Sequence, residues 1–475
     1  MLRQNKYLIL LGIILLMFIC SLHKVVGQQT NITSQLSTDS FEIQDIIVRG
    51  NIRTKKYIFE KELPFKIGSK IAYHDSSYYD TLIKNQLFNT GLFLTTHSHF
   101  KKIKDSFYIA EINVKERWFL FPLPYVNYID RNLSTFLFQN NANLTRLNYG
   151  IKLTFNNITG RNDKLFLWLI TGYNQQVAFR YHLPIIHKNT NWGVSLAYRF
   201  NFQKQINLNT FNNQQYFFET SNPVLKTQLF TISAHKRQSI FSTHSFKAIY
   251  STNLISDSAF LTNSSYFPNY KNEYNYIEFQ HQYNWTKLDY APFPKKGFSF
   301  NFLSVLRLSP DNIPLIRLEL QSLWAHKISA KTSITTSLWS TIKIFANDAF
   351  ITRNLIGYED NQPRGLDYYV IDGLRGFTVK NTFIFNIKKI SFKKPMIHPK
   401  KLPSLDFQLS GHILLDGGYS QNEFQYNNNN LQNKFLYTTG IGLDVVTIYD
   451  FVMNIDYCIN QLGEKGVFLR ILLGF

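Results

Sequence analysis

The sequence predicts a mainly β protein: a transmembrane antiparallel barrel of about sixteen strands, preceded by one small β-α-α-β-β domain. Three observations predict it. The chain opens on an export-type apolar segment; from Trp118 onward apolar residues recur at every second position; and no later apolar run is long enough to cross a bilayer as a helix. The 42 Phe and 28 Tyr among 475 residues strengthen the second point. A barrel uses aromatic side chains in girdles at both membrane interfaces and between them on its lipid face.

Residues 1–27 read as a signal peptide. Arg3 and Lys6 give a basic start, Tyr7 to Cys20 an apolar run of the right length, and Val25-Val26-Gly27 a cleavage site of small residues. An uncleaved anchor is the alternative, disfavoured by the shortness of the run. Residues 28–40 form a polar leader. The small domain is expected over residues 41–116. Phe41 to Arg49 reads as a strand with Gly50-Asn51 as its turn, and Thr54 as the N-cap of a helix to about Leu63. Tyr79, Leu82, Ile83 and Leu87 have the spacing of a second amphipathic helix, Tyr78 to Thr90, ended by Gly91. Strands follow at Phe93 to Phe100 and Ser106 to Val114.

The barrel is expected over residues 118–475. Its strands are read at 118–129, 147–155, 163–172, 176–183, 192–202, 224–235, 244–252, 274–288, 297–306, 316–328, 333–345, 378–388, 406–415, 436–447, 451–459 and 467–475. In Phe451 to Ile459 the odd positions are apolar, while Asn454 and Asp456 point the other way. The last run sets Val467, Leu469, Ile471, Leu473 and Phe475 outward and Arg470 inward. The run at 214–220 is a further possible strand. Links such as 156–162, 329–332 and 448–450 are short; 203–223, 253–273, 346–377 and 416–435 are long. That is the asymmetry of periplasmic turns and outer loops. An unpaired backbone group in hydrocarbon costs several kcal/mol, so the first and last strands are expected to pair.

Lys and Arg total 51 against 31 Asp and Glu, a net charge of +20. A lysine-rich loop and lumen composition accounts for this, with attraction to anionic headgroups as the functional alternative. An exported chain does not ordinarily meet nucleic acid. The two cysteines, Cys20 and Cys458, leave one in a mature chain, so no internal disulfide is expected. His97 and His99 share a strand face without an evident third ligand, so no metal site is expected. No hydrolase, zinc-protease or P-loop motif occurs, and neither catalysis nor a cofactor is expected.

Several motifs together carry a resemblance to the BamA/TamA-like outer-membrane assembly and translocation barrels, the bacterial surface antigen family. Ile43 to Val114 resembles a POTRA domain, with Gly50-Asn51, Thr54 and Asn89-Thr90-Gly91-Leu92-Phe93 at its marker positions. Leu374-Arg375-Gly376-Phe377, before the twelfth strand, is similar to the family's (V/I)RG(F/Y) loop tip. Asp416-Gly417-Gly418 resembles its D-x-G element, and Phe293-Pro294-Lys295-Lys296-Gly297 and the terminal Phe475 also fit. The resemblance covers almost the whole mature chain, with room for one POTRA unit rather than several.

The resemblance implies an outer-membrane protein with the POTRA-like domain in the periplasm and unfolded outer-membrane or secreted chains as clients. Accessory periplasmic or lipoprotein subunits are possible partners. The implied function is insertion or assembly of outer-membrane proteins through a POTRA edge and the barrel seam. The alternative is a secretion pore gated by loop 346–377. The resemblance further implies that Arg375 reaches the inner wall near Asp416, where a desolvated guanidinium needs an acidic partner. Gly376 would then permit a tight turn and Phe377 would pack against the wall. Phe475 would serve as a C-terminal strand signal.

Overall fold

The computed structural model describes residues 40–473 apart from 130–140, 188, 240, 311–312, 345–346, 393–404, 424–428 and 448–450. The expected signal peptide, nearly all of the leader, and Phe475 lie outside the described residues. The chain divides into two compact units. One runs up to Asn51 and from Phe59 to Glu116; the other takes in Ile52–Ile58 and everything from Arg117 onward.

The small unit contains β1 (Ser40–Arg49), α1 (Lys56–Glu62, begun in the barrel unit's segment), β2 (Lys70–Ala72), α2 (Ser76–Asn89), β3 (Phe93–Lys104) and β4 (Phe107–Glu116). Its sheet has the order β2-β1-β4-β3, with β1 and β4 parallel. A parallel pair needs a crossover, which the helical segments supply. Phe41, Ile43, Ile46, Ile83, Leu87, Phe93 and Ile112 are almost completely buried. The expected β-α-α-β-β order lacked β2, which pairs antiparallel with Ser40–Glu42. Three residues are too few to show a period-two pattern. Thr54 also differs from expectation: the helix begins at Lys56, and the buried Thr54 hydroxyl receives the Asn157 side-chain amide at 2.8 Å. Both residues belong to the barrel unit.

The barrel wall is one antiparallel sheet of sixteen strands in the described residues. It comprises β5 (Leu120–Tyr128), β6 (Leu147–Asn156), β7 (Lys164–Gly172), β8 (Gln175–Leu183), β9 (Trp192–Gln203), β12 (Leu225–Arg237), β13 (Ser242–Ile255) and β14 (Glu273–Leu288). The second half is β15 (Gly297–Leu308), β16 (Leu315–Lys327), β17 (Thr332–Ile344), β20 (Arg375–Phe392), β21 (Leu405–Gln421), β22 (Phe435–Thr447), β23 (Phe451–Asn460) and β24 (Lys465–Leu473). Every one of the sixteen predicted segments overlaps one of these. The run at 214–220 is a strand outside the wall: β10 (Gln205–Phe211) and β11 (Gln214–Glu219) form a separate hairpin. Ile206 and Leu208 of that hairpin join Val224, Ile255, Phe267 and Phe350 in a core at the long-loop end.

Ladder partners share a face, so the register fixes which residues line the interior. Phe230, Ile232, Tyr250, Leu415, Ile441, Val467 and Leu469 are exposed on the outer face. Glu278, Glu319, Asp416, Asp444 and Asp456 are buried on the inner one. Neighbour follows neighbour from β5 to β24, but no ladder among the described residues joins β5 back to β24. The expected pairing of first and last strands is thus not present there. Part of the reason lies in β5, which carries Pro122 and Pro124 opposite Leu153 and Ile151 of β6. Proline has no N–H to donate and is tolerated where that group would face away from the ladder. The edge of β5 turned from β6 is therefore poor in donors.

Candidate functional site

The long connection between β17 and β20 folds into the barrel interior as a structured plug. Within it β18 (Asn354–Ile356) pairs with β19 (Ile371–Asp372). Leu355, Ile356, Leu366 and Ile371 pack with Leu431, Leu436, Trp339 and Tyr369. A loop with its own apolar core keeps its shape and can present charges to the wall at fixed positions.

Arg364, in Pro363-Arg364-Gly365-Leu366, makes the principal contact. Its backbone N–H and Nε–H donate to Asp416 Oδ2 at 2.9 and 2.8 Å, and Nη2–H donates to Oδ1 at 2.7 Å. Nη2–H also reaches the Asn381 carbonyl at 3.0 Å. The Asp416 side chain is 0% exposed and that of Arg364 14%. Bidentate guanidinium–carboxylate geometry of this kind gives direction as well as strength.

A second set of charges continues along the wall. Arg470 of β24 bridges Asp367 of the plug, at 2.7 and 2.8 Å, and Asp456 of β23. His412 of β21 stands between Asp444 and Asp456, a ring nitrogen 2.9 Å from each, with all three side chains 2% exposed. Hydrogen bonds to backbone carbonyls of the plug reinforce the pairs. Asn460 donates to the Gly365 carbonyl at 3.1 Å, Lys380 to that of Asp360 at 2.9 Å, and Thr378 to that of Asn361 at 2.7 Å. These wall anchors all lie on β20–β24. Below them a cavity of about 160 Å³ is lined by Arg364, His412, Asp444, Asp456, Arg470 and Phe293. Phe293 enters from the Phe293–Gly297 segment and packs on Ile384, Val446 and Val452.

The far end of the plug is tied to the β10–β11 hairpin. The Tyr358 hydroxyl lies between Thr210 Oγ1, at 2.6 Å, and the Asp372 carboxylate. Burial pushes the Tyr358 hydroxyl and the Asp372 carboxyl above their ordinary pKa ranges. The Val370 N–H donates to the Asn213 carbonyl at 2.8 Å.

The structure corrects the expected role of Leu374-Arg375-Gly376-Phe377. Arg375 does not reach Asp416. Together with Gly376 and Phe377 it opens β20 itself, where it pairs with Ile342 and Gln421. Its guanidinium lies 3.5 Å from Glu423, with both side chains at least half exposed. Gly376 is extended strand rather than a tight turn, and a Cβ there would meet Tyr419 O at 2.7 Å and Leu355 Cδ2 at 2.8 Å. Phe377 is exposed on the outer face instead of packed in the lumen. Leu374 is buried, its N–H bonded to the Gln421 carbonyl at 2.9 Å. Asp416 keeps its expected place as acceptor, but inside β21, which continues through Gly417 and Gly418 to Gln421. A Cβ on Gly418 would come within 2.9 Å of Phe377 O and 3.6 Å of Pro363 Cγ. The missing side chain lets the Arg364 turn lie against the wall.

Arg364, Asp367, His412 and Asp444 were not singled out from sequence. The signal for Arg364 was present as a second Arg-Gly pair in the same loop; that for Asp444 was its inward place in an alternating strand. In the small domain, His99 lies 3.0 Å from Glu111.

No family model and no curated protein matches the sequence. The fold does have counterparts among solved structures. Over 91% of this chain and 84% of the other, it is similar to BamA from Haemophilus ducreyi lacking POTRA domains 1–3, with a TM-score of 0.54 at 14% identity. It is also similar to CdiB from Acinetobacter baumannii, over 91% and 73% of the two chains, with a TM-score of 0.50 at 13% identity. The chain has the fold of these barrels.

Proposed function

We propose that the protein is an outer-membrane member of the BamA/TamA-like barrels that assists insertion and assembly of other outer-membrane proteins. Its small domain would lie in the periplasm and be POTRA-like in role. The carrying observation is the seam: β5 and β24 end the wall with no ladder between them among the described residues, and β5 presents Pro122 and Pro124. The missing donors weaken that edge's pairing with the other end of the wall, and its unpaired carbonyls, costly in hydrocarbon, gain by accepting N–H bonds from an arriving strand. In the small domain β3 also ends its sheet, so an arriving extended chain can pair there through backbone bonds indifferent to side-chain identity. The plug, held on β20–β24, closes the lumen while the seam works.

The test is reconstitution of the full chain into liposomes with an unfolded barrel client. Wild type should raise the yield of folded client, and a P122V/P124V variant, with two donors restored to the edge, should lower that gain. A client yield unchanged by the protein sinks the reading. A second reading, a secretion pore gated by loop 346–377, draws on the plug's attachment through side-chain pairs that can exchange for water. Depletion followed by outer-membrane proteomics separates the two. General loss of barrel proteins supports assembly, and loss of one secreted chain supports the pore.

A further inference from the structure

The charges of the wall are divided unevenly. Strands β5, β6, β7, β8, β9, β12 and β13 contain no Asp or Glu in their described residues, whereas Glu278, Glu319, Asp416, Asp444 and Asp456 all lie on β14–β23. Register places Lys152, Lys164, Arg180, Arg199 and Lys247 on the inner face of the carboxylate-free half. On the opposite half the charges cancel locally, Arg364 against Asp416 and Arg470 against Asp367 and Asp456. Glu278, on the strand next to the basic half, is bonded to Arg307 at 2.7 Å. At the foot of β7, Asp163 accepts from the Tyr181 hydroxyl and the Thr159 N–H.

Two of these side chains are held by aromatic rings. Lys152 Nζ sits 4.0 Å from the ring centre of Tyr125 and 5.0 Å from that of Trp168, and the Arg180 guanidinium lies 4.4 Å over Phe166. A ring face orients a cation without neutralising it. The field of this half therefore remains positive in a concave, low-dielectric setting that concentrates anions.

The arrangement is graded along the strands. Lys164, His182, Ser195, Ser233 and Lys247 form one transverse row of ladder partners at the short-turn end. Arg180, opposite Phe166 and Ala197, stands in the next inner row. Lys152 and Arg199, through Trp168 and Ala178, stand in the row beyond. Successive inner rows are two residues apart, about 6.6–6.8 Å, which is also the repeat of same-face side chains in any extended chain. A segment lying along these strands with carboxylates at alternate positions would meet one row with each.

We propose that the inner face of β6–β9 and β13 is a binding surface for an extended polypeptide segment bearing Asp or Glu at alternate positions. The proposal rests on the reading that the barrel handles unfolded chains, and it names the class of segment the lumen takes. The short-turn end, where Lys164 and Lys247 lie, is the end at which a periplasmic client would arrive.

The test measures binding of short fluorescent peptides to the full-length protein in detergent micelles. One peptide alternates Glu with Thr; the others are its Gln counterpart, a peptide of identical composition with its glutamates in a single block, and inorganic polyphosphate serves as competitor. The alternating Glu peptide should bind about tenfold more tightly than the Gln peptide, weaken with salt, and outbind the block peptide. R180Q/R199Q should weaken it, R180K/R199K should restore most of it, and K226Q/K236Q, on the outer face of β12, should leave it unchanged. Equal binding of the Gln or block peptide to wild type overturns the proposal, a comparison that needs no variant to fold. Polyphosphate binding as tightly as the alternating peptide also overturns it, since the surface would then be a general anion site. Failure of liposome assembly with intact peptide selectivity would remove the functional reading and leave this surface standing; the converse removes this surface alone.

Discussion

Replacing Arg364 by Ala should release the plug. The substitution removes two side-chain hydrogen bonds to Asp416 and one to the Asn381 carbonyl, and leaves a carboxylate that is 0% exposed without its cation. The backbone bond from residue 364 survives the change, so the side chain's share is what is lost. Breaking one partner of a buried pair costs about 3–5 kcal/mol, which shifts the docked-to-undocked equilibrium by roughly two to three and a half powers of ten. Lys at the same position restores charge but not the fork and should recover only part of this. The contrasting variant is Arg375→Ala. Its pair with Glu423 spans 3.5 Å and is at least half exposed on both sides, so its loss costs about 0–1 kcal/mol. The assay is thiol labelling of Cys458, a free cysteine of β23 that is 1% exposed and packed against Gly365 of the plug. Arg364→Ala should accelerate labelling by at least about a hundredfold, on the lower bound of that energy, and Arg375→Ala by less than about fivefold. Equal rates in the two variants would refute the assignment of Arg364 as the plug's anchor.

Three further outcomes follow from the same wall. Gly418→Val places a side chain against Phe377 O and Pro363, so it should loosen the plug in the Cys458 labelling assay while barrel formation, read by heat-modifiable gel mobility, persists. His412→Leu leaves Asp444 and Asp456 without the ring between them and should lower the temperature of barrel unfolding; adding Asp444→Asn should recover a part, and strictly additive effects would argue against a shared network. Asn157→Ala removes the 2.8 Å donation to the buried Thr54 hydroxyl and should cost about 1–3 kcal/mol, measured as faster hydrogen exchange over residues 52–58.

What the sequence made legible follows from uniformity of environment. Every wall strand turns one face outward and sets exposed apolar residues on it, so Val467 and Leu469 or Phe230 and Ile232 announce it in the same alternating code. Of the β10–β11 hairpin the sequence shows β11, at 214–220, but β10 escapes because Ile206 and Leu208 serve a local core with Val224 and Phe350, contacts set by distant residues. β21 was cut short at Gly417-Gly418, since a glycine pair reads as a turn although here it makes room for Pro363. The arginine was mistaken for a related reason. Two Arg-Gly pairs occupy one loop, and local sequence gives both the same turn chemistry. Only the ladder that starts β20 at Arg375 excludes that residue from the interior. Inward charges such as Asp456 and Arg470 were readable as a face; which carboxylate meets which guanidinium was not, because it depends on register between strands.

The plug's attachment bears directly on the seam. Arg470 belongs to β24, the last strand of the wall, and ties it both to Asp367 of the plug and to Asp456 of β23. β24 thus has its ladder with β23, no ladder with β5 among the described residues, and a side-chain clamp from the lumen. Arg470→Gln should remove the clamp while His412 continues to compensate Asp456. Because the Arg470 and Asp367 side chains are 28% and 22% exposed, the loss is smaller than for Arg364, about 1–3 kcal/mol. Amides of residues 465–473 should then exchange roughly five- to a hundredfold faster in hydrogen-exchange mass spectrometry, and those of β7, remote in the ladder order, should not change. If β24 and β7 respond alike, the clamp is not local, and the seam owes its state to the whole barrel. If β24 responds alone, the plug and seam are coupled through one arginine, and a client that displaces the plug would loosen the edge with which it must pair.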